Sequence, residues 1–127
     1  MSSFILEIQT NTKPGNKNGN TFSLEYKTSA KFHHDKVNFE NDDFYLLLDG
    51  IVLNKKQLID KSIQTNWADY LIVQYIKNGN QFFKQLKGSY YGFLFDKKEN
   101  KWVVFTDHIS SKPMYYAQFS NHIVFSN

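Results

Sequence analysis

None of the 127 residues is cysteine, and none is arginine. The first absence excludes a disulfide framework, a thiolate zinc site and a thiol nucleophile. The second removes the planar fork that reads phosphate or guanine bidentately. The net charge of +3, carried by lysine alone, is therefore poor material for nucleic-acid recognition. No segment approaches the roughly 18 apolar residues of a membrane-spanning helix. The opening Met-Ser-Ser-Phe-Ile-Leu-Glu-Ile has neither the basic region nor the long apolar run of a secretory signal. The expectation is a soluble cytoplasmic protein that binds neither nucleic acid nor membrane and carries no cofactor.

What the chain has in abundance is aromatic side chains: 12 Phe, 8 Tyr and 2 Trp. That content argues against disorder and predicts a core built from rings. The length suits one domain with a real core and is too short for two, so residues 1–127 are read as a single domain.

A first strand is expected over residues 4–8, followed by a turn-rich loop over 12–20 holding Pro14, Gly15 and Gly19. From Phe22 the residues alternate, with Phe22, Leu24 and Tyr26 on one side, as in a half-buried strand. In the stretch 30–39, Phe32, Val37 and Phe39 suggest strand. Residues 44–48, Phe-Tyr-Leu-Leu-Leu, are apolar on both faces, as expected for a strand covered on both sides. Asp49-Gly50 then reads as a turn signal. Asn54 is a candidate cap for a short helix through Leu58 and Ile59. Asn66, with Asp69 three residues on, is a better helix start. Trp67, Leu71, Tyr75 and Ile76 keep helical spacing up to the stop at Lys77-Asn78-Gly79. A second short helix is expected to carry Phe82, Phe83 and Leu86.

The last third reads as strands: residues 89–95 and 101–106 flank a hairpin loop at 96–100, and 114–117 and 122–125 join near Ser120-Asn121. With no terminal tail after the last strand, the chain is expected to be the N-terminal part of something longer.

The order strand, Asp-Gly, helix, Leu-x-Gly, hairpin and Asp-x-x-x-x-Lys-Pro-x-Tyr-Tyr resembles the class II glutamine amidotransferase domain of asparagine-synthetase-like proteins. Asp49-Gly50-Ile51-Val52-Leu53-Asn54 takes the place of the family's Asn-Gly-Glu-Ile-Tyr-Asn. Leu86-Lys87-Gly88-Ser89-Tyr90-Tyr91-Gly92-Phe93-Leu94-Phe95-Asp96 matches Leu-x-Gly-x-Phe-Ala-Phe-x-x-x-Asp. Thr106-Asp107-His108-Ile109-Ser110-Ser111-Lys112-Pro113-Met114-Tyr115-Tyr116 matches Arg-Asp-Arg-x-Gly-x-Lys-Pro-Leu-Tyr-Tyr. The match runs from about Phe44 to the end; the first 40 residues resemble the family only in opening with a strand. The implied fold is α+β, an N-terminal-nucleophile-hydrolase-like αββα sandwich of mostly antiparallel sheets, here reduced in helices.

The resemblance also implies a chemistry whose parts are altered. The family's nucleophile is an N-terminal cysteine with its own α-amino group as base; Ser2 stands in that place. A terminal hydroxyl beside a terminal amine is chemically workable, because that amine titrates near neutral pH. The oxyanion-hole Asn is matched by Asp49, beside Gly50, and a carboxylate repels the charge that position must stabilise. The acidic residue that holds the substrate ammonium is matched by Trp67. The arginine that clamps the substrate carboxylate has no counterpart.

Ser2, Asp49, Gly50 and Trp67 therefore read as a vestigial pocket. Asp107, His108, Lys112 and Pro113 read as a structural loop that, in the family, lies toward the synthetase domain. Tyr90 and Tyr91, with Trp67, are candidates for a ligand pocket, although core packing is the commoner use of such residues. His33-His34-Asp35 is a weak metal constellation, because strand neighbours point to opposite faces, and no metal is expected.

Three functions follow from this reading. The first is a non-catalytic module for an ATP-dependent synthetase domain, in cis or in trans. The second is an amidohydrolase using Ser2, and the third is a small-molecule binding domain.

Overall fold

The computed structural model describes residues 3–9, 22–27, 36–64, 66–109, 112 and 114–127. In chain order these form β1 (Ser3–Gln9), β2 (Phe22–Lys27), β3 (Val37–Glu40), β4 (Phe44–Val52), α1 (Lys55–Asp60) and α2 (Trp67–Asn78). A 3-10 segment follows (Gly79–Gln85), then β5 (Gly88–Asp96), β6 (Lys101–Thr106), β7 (Tyr115–Gln118) and β8 (His122–Ser126). The loop expected over 12–20 and the His33-His34-Asp35 constellation lie outside the described residues.

The chain divides into two compact units, residues 32–112 and a second made from 1–31 with 113–127. Each holds a four-stranded sheet, β3-β4-β5-β6 in the first and β2-β1-β8-β7 in the second. Every described strand pair is antiparallel. The expected α+β class, antiparallel sheets with few helices, is thus the architecture of the chain.

In the unit of residues 32–112, alternation sorts the side chains between two faces. Phe44, Leu46, Leu48 and Val52 of β4, Tyr90 and Leu94 of β5 and Val103 and Phe105 of β6 pack with α2 and the 3-10 segment in one buried cluster. Tyr45 and Leu47, with Tyr91, Phe93 and Phe95 opposite, point the other way and are buried as well. Both faces of β4 and β5 are covered, as their continuous apolar runs predict. The core is aromatic throughout: Phe83 stacks on Phe105 with centroids 4.0 Å apart, and Trp67 stacks on Tyr70 at 5.6 Å.

α2 forms where its capping signals place it. The Asp69 N–H donates to Asn66 Oδ1 at 3.2 Å, and the N–H of Gly79, at φ 68°, closes the helix on the Tyr75 carbonyl. Its buried face is Trp67, Ala68, Tyr70, Leu71, Ile72 and Tyr75, whereas Ile76, within the helix as its spacing predicts, is exposed.

Three further expectations are corrected. Asp49-Gly50 is no turn: β4 runs straight through it, with Gly50 at φ 123° opposite Tyr90. Asn54 begins α1 but makes no side-chain cap. Its amide bridges the chain beyond the 3-10 segment instead, donating to the Gln85 carbonyl and accepting from the Lys87 N–H, each at 2.9 Å. The second helix is a 3-10 segment that stops before Leu86, where the backbone turns extended and the Leu86 N–H closes the segment on the Phe83 carbonyl.

The unit of residues 1–31 and 113–127 is simpler. Phe4, Leu6 and Ile8 are buried on one face of β1, while β7, at the sheet edge, is exposed along its whole length.

Candidate functional site

The residues singled out from the sequence fall in separate places. Ser2 and Pro113 lie outside the described residues. Asp49 is 1% exposed, in the second half of β4, and shares its sheet face with Leu47, Tyr91 and Phe93. Gly50 follows it and lies against β5: a Cβ there would come within 2.2 Å of the Ser89 carbonyl oxygen. Trp67, the first residue of α2, is 7% exposed and belongs to the cluster on the opposite face of the sheet. The structure therefore does not bring Asp49 and Trp67 onto one face. The period-2 alternation of β4 turns Asp49 away from the helices, a consequence of strand geometry that a linear alignment of motifs does not carry.

Asp107 is buried and spends both carboxylate oxygens on backbone donors: Oδ2 accepts from the Tyr90 N–H and Oδ1 from the Ile109 N–H, each at 3.1 Å. Its own N–H returns a bond to the Tyr90 carbonyl. This pattern ties the start of β5 to the turn after β6. His108 is exposed and Lys112 half-buried.

Tyr90 and Tyr91 are buried at 1% and 0% exposure, so they serve the core. The Tyr90 hydroxyl donates to the Leu86 carbonyl at 2.9 Å. Burial, reinforced by the charge of Asp107, pushes its pKa up to about 12. Tyr75 is shifted in the same direction, first by burial and then by Asp96, whose carboxylate accepts a hydrogen bond from its hydroxyl.

His122 sits on β8 with its ring stacked on Phe119 and Nδ1 2.6 Å from Asn121 Oδ1. Among the described residues no group of three His, Cys, Asp or Glu is placed to hold a metal ion, and no helix is long and apolar enough to cross a membrane.

The sequence profile of the glutamine amidotransferase domain matches residues 30–127. The chain belongs to this family. No curated protein matches it significantly. Within this glutamine amidotransferase domain the matched region takes in β3 to β8 and both helices, including residues 86–116, where the motif resemblance is densest. It leaves out β1 and β2.

One feature of the amidotransferase domain had no signal in its sequence. Lys55, the first residue of α1, holds its Nζ 5.7 Å from the centroid of the Trp67 ring. Nothing in the pair Lys55-Lys56 distinguishes a lysine facing an aromatic wall from one facing water, and only the packing of α1 beside α2 makes the choice.

Proposed function

We propose that this glutamine amidotransferase domain no longer hydrolyses glutamine. It serves as a structural and interaction module, of the N-terminal-nucleophile-hydrolase type, for an ATP-dependent amide-forming domain like that of asparagine synthetases, in cis or in trans. The observation that carries the reading is Asp49. At the place where the family keeps an oxyanion donor, this chain has a carboxylate buried in β4. A site that must stabilise developing negative charge loses on the order of 10²–10³ in rate when one donor is removed, and an acid in its place adds repulsion. The sequence supplies no cysteine to attack the amide and no arginine to clamp the substrate carboxylate.

Two measurements test the halves of this proposal separately. The purified chain and its Ser2→Ala variant are assayed for ammonia release from glutamine and asparagine. Both are expected at background, and turnover lost on Ser2→Ala would sink the non-catalytic half. The coding sequence downstream and in neighbouring genes is expected to encode a Ser-Gly-Gly-x-Asp-Ser pyrophosphatase loop. Its absence from both would sink the module half.

A further inference from the structure

The sheet of the unit 1–31 with 113–127 ends on two edges of unlike character. β2, at one edge, alternates half-buried Phe22, Leu24 and Tyr26 with exposed Ser23, Glu25 and Lys27. Charged side chains of that kind discourage an edge from pairing with another chain. β7, at the other edge, has none. Residues 114–121 read Met-Tyr-Tyr-Ala-Gln-Phe-Ser-Asn, without a charge or a proline. Tyr115, Tyr116 and Phe119 are 64%, 72% and 52% exposed, and Ala117 and Gln118 are exposed as well. The pairing of β7 with β8 fixes which backbone groups face outward. The Phe119 N–H donates to the His122 carbonyl, so by alternation Phe119, Ala117 and Tyr115 turn their N–H and C=O groups inward to β8. Those of Tyr116 and Gln118 point away from the sheet and meet no partner among the described residues.

We propose that a second copy of this chain pairs with β7, antiparallel, about a two-fold axis at Ala117. Such a pairing sets Tyr116 opposite the partner's Gln118, where the outward groups exchange both backbone bonds, and the two-fold repeats the exchange. On the other face Tyr115 meets the partner's Phe119 on either side of the axis, a favourable cross-strand pair. The small Ala117 faces its own copy between them. Charge decides for a second copy as the occupant. A strand that pairs with itself sets each of its charges near its like, and a chain of net charge +3 repels its copy, so self-pairing needs an edge such as β7 that brings no charge to the contact. A partner of opposite charge would find nothing in β7 to select it. The rings of both copies, once covered, bury on the order of 700 Å². That lies below the ~1,200 Å² of stable interfaces, so the dimer is expected to be weak, with a dissociation constant in the micromolar range or above. The pairing uses none of Ser2, Asp49 and Trp67, and is separate from the loss of glutamine hydrolysis.

Sedimentation equilibrium of the full chain from micromolar to millimolar concentration reads the association, and a monomer–dimer equilibrium is expected. Ala117→Lys sets two ammonium groups face to face at the axis and is expected to weaken the dimer at least about tenfold. Ala117→Thr, neutral and small, is expected to keep it. Ala117 is exposed, so both variants should retain the circular dichroism of the parent. Because the sequence has no cysteine, single cysteines report the register directly. Facing copies of residue 117 form the close kind of pair, with Cα atoms about 4.5 Å apart, inside the ~4.4–6.8 Å that a disulfide accepts. Ala117→Cys is therefore expected to link two chains on mild oxidation, and Gln118→Cys, set opposite Tyr116, to link them far more slowly. A monomer at millimolar concentration, indifference to Ala117→Lys, or linkage through Gln118→Cys as fast as through Ala117→Cys would each overturn the proposal.

Discussion

Single residues in this domain divide by whether their role is set by neighbours in the chain or by the fold. Asn66 as a helix cap was readable, because a cap acts on an N–H three residues away. Asp107 was readable only as part of a turn, where its Oδ1 holds the Ile109 N–H two residues on; that its Oδ2 also holds the Tyr90 N–H depends on β5 and β6 lying side by side. Tyr90 carries a consequence of that arrangement. Its folded pKa, raised to about 12, exceeds the ordinary tyrosine value of about 10, so the folded chain binds more protons than the unfolded one between those pH values. Stability from this group is fully present below pH ~10 and is lost as pH rises toward ~12. Tyr90→Phe is expected to lower stability at pH 7 by about 1–2 kcal/mol through the lost bond to Leu86. It should also shallow the decline above pH 10, leaving the part due to Tyr45, Tyr70 and Tyr75, which burial shifts in the same direction. Urea unfolding at pH 7 and across pH 9.5–11.5 measures both, and parallel curves for the two proteins in the alkaline range would contradict the shift.

Elements were legible wherever a pattern stayed within one strand or helix. The apolar runs 44–48 and 91–95 gave the doubly covered strands, and the Asn66 and Gly79 signals bounded α2. Asp49-Gly50 misled because that dipeptide commonly marks turns, while here glycine answers a different need. Gly50 lets β4 pass against β5 with its backbone at φ 123°, and an added Cβ would meet the Ser89 carbonyl at 2.2 Å and the Tyr90 Cα at 2.7 Å. Those are backbone atoms of a paired strand and have nowhere to move. Gly50→Ala is therefore expected to cost at least about 3 kcal/mol, combining the steric conflict with strain of order 1–3 kcal/mol for that φ. Gly79→Ala is the control, since a Cβ there meets nothing within 4 Å and only its glycine-favouring backbone (φ 68°, ψ −162°) is penalised, by the same order of 1–3 kcal/mol without the added clash. Equal thermal midpoints for the two variants would show that the approach of β4 to β5 is looser than these distances.

At the scale of the whole molecule, the family and the α+β class were visible because ordered motifs and strand patterns are linear. The placement of Asp49 and Trp67 on opposite faces was not, since it follows from the phase of alternation in β4 and the packing of α2. The same separation bears on the proposal that glutamine hydrolysis is lost. Ser2→Cys restores a thiol, and Ser2→Cys with Asp49→Asn also restores the amide beside Gly50. Neither returns the arginine that the sequence lacks or an acid where Trp67 stands. Binding energy that positions substrate and stabilises charge is worth several orders of magnitude even when a nucleophile is present. Both variants are therefore expected to release ammonia from glutamine at the background rate, as measured by coupled detection at millimolar substrate. If the double variant turned over glutamine while the single one did not, Asp49 alone would be the block, and the loss of function would rest on one residue rather than on the pocket as a whole.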